Sequence, residues 1–159
     1  MTKSKRLYVL RHGNAAPYGY DQDELRELTE LGIVEVKAAA AAFREKNLSF
    51  DKVFVSPYVR AQQTAKVFLA GLNAASSFED LSLITPDGQP MAVAAWLNDQ
   101  PYHSVLLVTH QPFAQQFVDY LVDEPLPINF AMTTATLVAV EGELFAAACC
   151  QFKWRVSPS

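Results

Sequence analysis

The sequence predicts an α/β protein, a three-layer sandwich in which a mainly parallel central sheet is flanked by helices. Two observations support this fold class. Short apolar runs typical of buried strands alternate with longer segments of helical character, and strands separated by helices usually pair in parallel. The second observation is that two strands follow each other directly near the end of the chain, which adds a hairpin to the sheet. With 159 residues, half of them hydrophobic, the chain is predicted to be one domain spanning residues 1–159.

The charge of the chain bears on the kind of partner that it binds. The formal charge is −4 and no run of Lys or Arg is present, which argues against a nucleic-acid partner. An anionic substrate is still compatible with this charge, because two well-placed arginines can hold a phosphate inside an acidic protein.

The cysteines and the apolar runs suggest a cellular compartment. Cys149 and Cys150 are adjacent, which suits neither a disulfide nor a zinc site, so we expect free thiols in the cytoplasm. The apolar run behind the basic amino terminus is too short for a signal peptide, and no apolar stretch is long enough to span a membrane. We therefore expect no membrane association.

The first strand is predicted over residues 7–10 and ends at an Arg-His-Gly corner, where glycine permits a turn or a close approach. Residues 14–23 are rich in Pro, Gly, Tyr and Asp and predict a surface loop beside that corner. Thr29 is a predicted N-cap, and the alanine-rich segment behind it predicts a helix to about Lys46.

A second strand is predicted over residues 51–55. Ser56 looks like an N-cap and Pro57 like the first residue of the next helix, which puts Arg60 about one turn into that helix. Residues 71–90 read as a loop with a short apolar segment inside it.

The same arrangement then occurs a third time. A helix is predicted over residues 90–98 and a buried strand over residues 104–109, which ends at His110. A helix that contains Phe113 and Leu121 comes next. Three strands thus deliver a cationic or ionisable residue to their carboxyl ends and then lead into helices, which is difficult to attribute to chance.

The last part of the chain is predicted to add two strands. Residues 123–127 read as a turn and residues 129–140 as a threonine-rich strand. A tight hairpin turn is predicted at residues 141–143, with the final strand over residues 144–154.

Four side chains are predicted to meet at one edge of the sheet: Arg11, His12, Arg60 and His110. Each lies at or just past the carboxyl end of a strand, and parallel strands bring those ends together. We expect a pocket of two guanidinium groups and two imidazoles, with no carboxylate among them. Such a pocket suits a tetrahedral dianion, because arginine forks bind phosphate oxygens and an imidazole can attack phosphorus.

The motifs resemble those of the histidine phosphatase superfamily, whose fold is phosphoglycerate mutase-like. The matching motifs are Arg11-His12-Gly13, Ser56-Pro57-x-x-Arg60-Ala61-x-Gln63-Thr64 and Thr109-His110. Three further segments and the short length look like the SixA-type phosphohistidine phosphatase branch: Leu28-Thr29-x-x-Gly32, Leu81-x-x-Ile84-Thr85-Pro86 and Thr133-Thr134-Ala135. The resemblance extends from Leu7 to about Val140.

The resemblance implies a role for each site residue. His12 would be the nucleophile that becomes a phosphohistidine intermediate, while Arg11, Arg60 and His110 would bind the phosphoryl group and stabilise its transition state. Water would then hydrolyse the intermediate without a metal or another cofactor. Asn14 is a candidate substrate-binding residue, although a simple turn role fits it equally well. The implied substrate is a histidine-phosphorylated signalling or phosphotransfer protein, and we expect a monomer.

One position departs from the family pattern. Many superfamily phosphatases have a glutamate as general acid where this sequence has Leu83. Glu79, Asp80 and Asp87 are nearby, but their spacing is not convincing. General acids typically supply about 10²–10⁴-fold in rate, and a phosphoramidate needs an acid less than an alkyl phosphate does, since imidazole is the better leaving group. The departure favours phosphohistidine as substrate, and it also leaves room for a weak or inactive enzyme.

Two alternatives stay open at this point. One is a small-molecule phosphomonoesterase that takes its acid from the 14–23 loop or from Asp87. The other is a non-catalytic module that binds a phosphate group or a phosphorylated partner. Such a module would keep Arg11 and Arg60 but tolerate the loss of His12. The third histidine, His103, precedes a strand and is expected to be a surface residue without a role.

Overall fold

A six-stranded sheet organises the computed structural model, which describes residues 4–73 and 77–158. The strands are β1 (Lys5–Arg11), β2 (Lys52–Val55), β3 (Glu79–Asp80), β4 (Ser104–Thr109), β5 (Leu137–Gly142) and β6 (Gln151–Val156). The helices are α1 (Glu30–Glu45), α2 (Val59–Gly71), α3 (Pro90–Asn98) and α4 (Phe113–Leu121). Two short 3-10 turns cover Asp23–Leu25 and Ser82–Ile84.

The strand order is β3-β2-β4-β1-β5-β6. β1, β2, β3 and β4 are mutually parallel, whereas β5 is antiparallel to both β1 and β6. The register aligns Arg11 with Thr109 and Val55 with Val108. The carboxyl ends of β1, β2 and β4 therefore meet at one edge, and the predicted, mainly parallel sheet is confirmed.

Two apolar clusters cover the two faces of the sheet, one under α3 and α4 and the other under α1 and α2. β1 supplies both, because successive side chains of a strand point to opposite faces. Leu7 and Val9 belong to the first cluster, and Tyr8 and Leu10 to the second. These buried central strands give the predicted three layers, in line with a parallel sheet covered on both sides.

The entry to α1 agrees with the predicted N-cap. The Thr29 hydroxyl accepts a hydrogen bond of 3.0 Å from the backbone N–H of Gly32. Gly32 itself lies against the segment after β1, and a Cβ there would come within 2.1 Å of the Asn14 carbonyl oxygen. Only glycine therefore allows α1 to pack this closely beside the Arg-His-Gly corner.

The predicted N-cap at Ser56 is wrong. α2 begins at Val59 with Tyr58 as its N-cap, so Arg60 lies in the first turn rather than a full turn into the helix. The Ser56 hydroxyl accepts only a long bond, 3.3 Å, from the Tyr58 N–H and pairs more closely with His110, at 2.7 Å. A partner distant in sequence thus takes the hydroxyl that local propensity assigned to the cap.

The predicted loop at residues 71–90 contains the short strand β3, although its positions 74–76 lie outside the described residues. β3 escapes a sequence pattern because it consists of two exposed acidic residues that pair with the end of β2.

The predicted strand over residues 129–140 is wrong in its first part, because β5 begins only at Leu137. Asn129 and Ala135 have positive φ angles of 67° and 56°, which no strand accommodates. The segment before β5 is instead a loop that crosses the carboxyl edge of the sheet, where Ala135 N–H donates to the His12 carbonyl oxygen at 2.9 Å.

The predicted tight turn at residues 141–143 is also wrong, because β5 continues through Gly142 and β6 begins only at Gln151. Residues 143–150 form a longer connection between them. Its anchor is the buried Phe145, whose backbone exchanges two hydrogen bonds, of 2.6 and 3.0 Å, with the side chain of Asn98.

The other side chains singled out in the sequence lie apart from this edge. Cys149 is exposed and Cys150 buried, and both are free thiols as predicted. His103 is exposed. Within residues 4–73 and 77–158, no helix is long and apolar enough to cross a membrane.

Candidate active site

The carboxyl edge of the sheet brings together the four residues expected to meet there. Arg11 ends β1 and His12 follows it, His110 follows β4, and Arg60 projects from the first turn of α2. The two imidazole rings lie 5.1 Å apart, and Arg60 Nε is 3.3 Å from His12 Nε2. His12, Arg60 and His110 are only 7%, 3% and 1% exposed.

The backbone determines how the His12 ring is protonated. His12 Nδ1 lies 2.7 Å from the carbonyl oxygen of Gly13. Because a carbonyl oxygen only accepts, Nδ1 must carry the proton, which leaves a lone pair on Nε2 facing the Arg60 N–H. Burial, helped by the charges of Arg60 and Arg11, lowers the pKa of His12 to about 4 even though the bond to Gly13 acts the other way. The imidazole is therefore neutral at pH 7, the form in which a histidine is a nucleophile.

His110 forms the second wall of the site. Its Nε2 is 2.7 Å from Ser56 Oγ, and the Tyr58 ring packs edge-on against it at 4.9 Å. His110 Nδ1 is buried and has no hydrogen-bond partner in the described part of the chain. Burial, reinforced by His12 and Arg60, lowers the pKa of His110 to about 2, so this ring is neutral as well.

Arg11 is held by the loop that precedes β5. Its Nη1 donates to the Met132 carbonyl oxygen at 2.9 Å, while its Nε is buried and lacks a partner among the described residues. Burial lowers the pKa of Arg11 and the Glu35 carboxylate opposes that effect, but a guanidinium stays charged in proteins. Arg11 therefore keeps donor capacity at the site.

A carboxylate is present in the site, so the expectation of a pocket without one is wrong. Arg60 Nη1 and Nη2 donate to the backbone carbonyl and to Oδ2 of Asp23, at 2.7 and 3.0 Å. Arg26 Nε donates to the other carboxylate oxygen at 2.8 Å. Burial would raise the pKa of Asp23, but the hydrogen bonds from Arg26 and Arg60 outweigh it and hold the pKa below its usual value. Asp23 is the last residue of the loop predicted to lie beside the site. That predicted position was the one sequence signal for a carboxylate here.

A buried hydroxyl ties the end of β1 to α2. Gly13 N–H donates to Thr64 Oγ1 at 3.1 Å, and that hydroxyl donates in turn to the Arg60 carbonyl oxygen at 2.7 Å. The positions of His12 and Arg60 are thus coupled through backbone groups, independently of their side chains.

Asn14 lies at the junction of this corner with α1. Its Oδ1 accepts from the Thr29 hydroxyl at 2.7 Å, and its N–H donates to Glu35 Oε1 at 2.8 Å. The other oxygen of Glu35 accepts from the Thr134 hydroxyl at 2.9 Å. Asn14 therefore has a structural part in the turn, and its substrate-binding role stays a prediction.

Leu83, in the Ser82–Ile84 turn, is 36% exposed. Two of the nearby acids are engaged elsewhere: Glu79 pairs with Lys52 at 2.5 Å, and Asp80 accepts from Gln62 at 2.9 Å. The carboxylate that contacts Arg60 is Asp23, the last residue of the 14–23 loop from which the phosphomonoesterase alternative would take its acid.

The described residues hold no group of three or more His, Cys, Asp or Glu side chains arranged to bind a metal ion. An anion at this edge would meet the guanidinium groups of Arg11 and Arg60, and Arg26 lies beside them through its hydrogen bond to Asp23.

Several known proteins are similar to this chain. The model of the histidine phosphatase superfamily (branch 1) matches residues 7–82. The phosphohistidine phosphatase SixA of Escherichia coli (strain K12) is 31% identical over 156 residues, which cover 96% of this chain and 94% of the relative. A SixA homolog of Haemophilus influenzae is 30% identical over 146 residues, or 86% of this chain and 88% of the relative.

The fold is shared as well. The solved structure of the protein histidine phosphatase SixA complexed with tungstate superposes with a TM-score of 0.83 at 30% identity, covering 96% of this chain and 97% of that chain. Identity at this level extends over nearly the whole length of both proteins. The chain therefore belongs to the histidine phosphatase superfamily, as a phosphatase of its SixA-type branch.

Proposed function

We propose that this protein removes the phosphoryl group from a phosphorylated histidine of another protein, through a covalent phosphohistidine on His12. The geometry of His12 is the observation that carries the proposal. Its Nδ1 is committed to the Gly13 carbonyl oxygen, and its Nε2 lone pair lies 3.3 Å from Arg60 Nε. A neutral, oriented nucleophile thus lies beside a cation that attracts the phosphoryl oxygens.

Two guanidinium groups would bind the substrate's phosphoryl group. Arg11 has an unpartnered Nε, and Arg60 has two N–H groups that now bond to Asp23. An incoming dianion competes with the single negative charge of Asp23 for Arg60 and carries more acceptor oxygens. Tungstate, bound in the SixA relative, is a tetrahedral oxyanion of the same kind.

The first step forms the bond between His12 Nε2 and phosphorus and breaks the phosphorus–nitrogen bond of the substrate. The departing imidazole nitrogen takes a proton from solvent. Water then attacks phosphorus, the bond to His12 breaks, and inorganic phosphate leaves with the oxygen of that water. In both steps Arg11, Arg60 and His110 stabilise the charge on the equatorial oxygens.

Leu83 favours phosphohistidine over an alkyl phosphate as the substrate. A phosphomonoesterase would have to protonate an alkoxide, and the hydrogen bonds from Arg26 and Arg60 keep Asp23 ionised and unable to do so at neutral pH. A phosphoramidate leaves as an imidazole, which needs less help. The non-catalytic alternative does not explain why His12 is oriented with its Nε2 lone pair directed toward the Arg60 guanidinium.

The rim of the site supports a macromolecular substrate. Residues 17–25, which include Asp23, are exposed along their whole length, and Tyr18 is 83% exposed. A phosphohistidine on a folded partner can approach such an open edge. We further propose that the protein acts as a monomer in the cytoplasm, where its free thiols at Cys149 and Cys150 stay reduced.

The test compares two substrates in the presence of a chelator: a histidine-phosphorylated carrier protein and an unactivated alkyl phosphate. We expect rapid loss of phosphohistidine, little hydrolysis of the alkyl phosphate, and no turnover by the His12→Ala variant. His103→Ala is the matched control, since His103 is exposed and lies just before β4, at the opposite end of that strand from His110. Preferred hydrolysis of the alkyl phosphate, or full activity of His12→Ala, would overturn the proposal.

A further inference from the structure

The second histidine of the site has one hydrogen bond that the mechanism above does not use. His110 Nε2 lies 2.7 Å from Ser56 Oγ, and both residues are buried, 1% and 0% exposed. The opposite ring nitrogen, Nδ1, has no partner among the described residues. Because His110 is neutral, only one of these two nitrogens carries a proton. Its position decides whether Nδ1 donates or accepts.

The bonds of Ser56 decide between the two arrangements. Its hydroxyl oxygen has two partners in the described part of the chain, the Tyr58 N–H at 3.3 Å and His110 Nε2 at 2.7 Å. The Tyr58 N–H can only donate. If His110 Nε2 also donated, the buried serine proton would have no acceptor and Nδ1 would present a bare lone pair. Two buried groups would then be unsatisfied, which is costly.

The reverse arrangement satisfies Ser56 completely. The Tyr58 N–H donates to Ser56 Oγ, Ser56 O–H donates to His110 Nε2, and the ring proton lies on Nδ1. One donor is then left over, an N–H on a buried ring whose centroid is 5.1 Å from that of His12. A phosphoryl oxygen is the acceptor that such a donor needs, whereas a bare lone pair would repel it.

We propose that Ser56 is a positioning residue, whose hydroxyl donates to His110 Nε2 and so holds the ring proton on Nδ1 for donation to a phosphoryl oxygen. The inference rests on the proposed function, since it takes the phosphoryl group as the ligand. The backbone also holds Ser56 in place: its N–H donates to the Val108 carbonyl oxygen at 3.0 Å, and its carbonyl accepts from the Gln62 side chain at 2.8 Å. The serine therefore keeps its position independently of His110.

The protonation of His110 can be read directly by ¹⁵N NMR of the intact protein labelled in its histidine rings. His110 is assigned by the loss of its signals in His110→Ala. In the wild type we expect a protonated Nδ1 and a bare Nε2 of the acceptor type. A protonated Nε2 in the wild type would overturn the proposal, whatever the variants do.

The kinetic test uses Ser56→Ala, with Ser104→Ala as the matched control. Ser104 lies at the other end of β4, where its hydroxyl donates to the Ser49 carbonyl oxygen. In Ser56→Ala we expect the His110 ring to lose its preference for a proton on Nδ1. The kcat should fall by on the order of ten- to a hundred-fold, as for the loss of one charge-assisted hydrogen bond to the phosphoryl group. The KM should change less, because the bond strengthens in the transition state.

A double-mutant cycle distinguishes a positioning role of Ser56 from a general effect of its substitution on the fold. In a His110→Ala background, Ser56→Ala should lower kcat by less than about two-fold, because its effect passes through the missing ring. An equal loss in both backgrounds would overturn the proposal. If the wild type hydrolyses phosphohistidine while His110 carries its proton on Nε2, only the role of Ser56 fails. If the wild type does not hydrolyse phosphohistidine at all, it is the proposed function that fails.

Discussion

Acidification should destabilise this fold through its two buried imidazoles. His12 and His110 are almost fully buried and neutral, with burial as the main cause of pKa values of about 4 and about 2. In the unfolded chain both return to the ordinary histidine pKa of about 6.5. Between those values the unfolded state binds more protons than the folded state, so the free energy of unfolding must fall as the pH falls.

The size of the effect follows from these pKa values. The contribution of these two neutral, buried rings to stability is complete above the unfolded pKa. It is lost as the pH falls from about 6.5 toward the folded pKa values. At about pH 5 an unfolded histidine is largely protonated, which stabilises the unfolded chain by about 2 kcal/mol per residue. His12 and His110 together should therefore remove about 4 kcal/mol, a large share of the roughly 5–15 kcal/mol that stabilises a typical domain.

Urea denaturation at about pH 7.5 and about pH 5 measures this loss. The double variant His12→Asn, His110→Asn has no titrating ring at the site and should lose most of the pH dependence, whereas His103→Asn, at an exposed position, should retain it. A wild-type free energy of unfolding that changes by less than about 1 kcal/mol between the two pH values would refute the reasoning. It would mean that the two rings are solvated or already charged in the folded protein.

Three substitutions test other parts of the site. Arg60→Lys keeps the charge but loses the guanidinium fork, so kcat/KM of the folded variant for phosphohistidine should fall by about 10²-fold; a fall below about three-fold would contradict this role. Asp23→Asn removes the charge that competes for Arg60, and vanadate should bind a few-fold more tightly by calorimetry, because the Asp23 side of this ion pair is half exposed; weaker binding would show that Asp23 orients Arg60 instead. Leu83→Glu places an acid where the family resemblance leads us to expect one, and should raise hydrolysis of an alkyl phosphate by at least about ten-fold; no gain would mean that this position does not face the leaving group.

The fold and the four site residues could be predicted because both depend on simple regularities. Apolar runs identify β1, β2 and β4, and the meeting of parallel strand ends places Arg11, His12, Arg60 and His110 together. The N-cap Thr29 was predictable for the same reason, since its bond to Gly32 is local in sequence.

The predictions that proved wrong concern residues whose partners are distant in the sequence. Ser56 has the residue type of an N-cap, but its hydroxyl bonds to His110, which comes 54 residues later. Residues 129–136 have the β-propensity of threonine, but they form a loop that bonds to Arg11 and His12. The contact between Asp23 and Arg60 depends on the path of a surface loop, which no periodic pattern encodes.

The identity of the leaving group also depends on residues that a motif does not report. Leu83 indicated that the usual acid is missing, and only the contacts showed that Glu79 and Asp80 are occupied elsewhere. The sequence thus predicts the kind of substrate, and the contacts of Glu79 and Asp80 explain why neither of these two carboxylates supplies the missing acid.

The central claim is that the phosphoryl group passes through His12, and trapping that intermediate tests it most directly. The protein is mixed with a ³²P-labelled, histidine-phosphorylated carrier, quenched in alkali within the first turnover, and separated from the carrier. We predict an alkali-stable, acid-labile label on the wild type that maps to the peptide containing His12 and is absent from His12→Ala. Turnover of the carrier without any label on the protein, or a label that persists in His12→Ala, would contradict the claim.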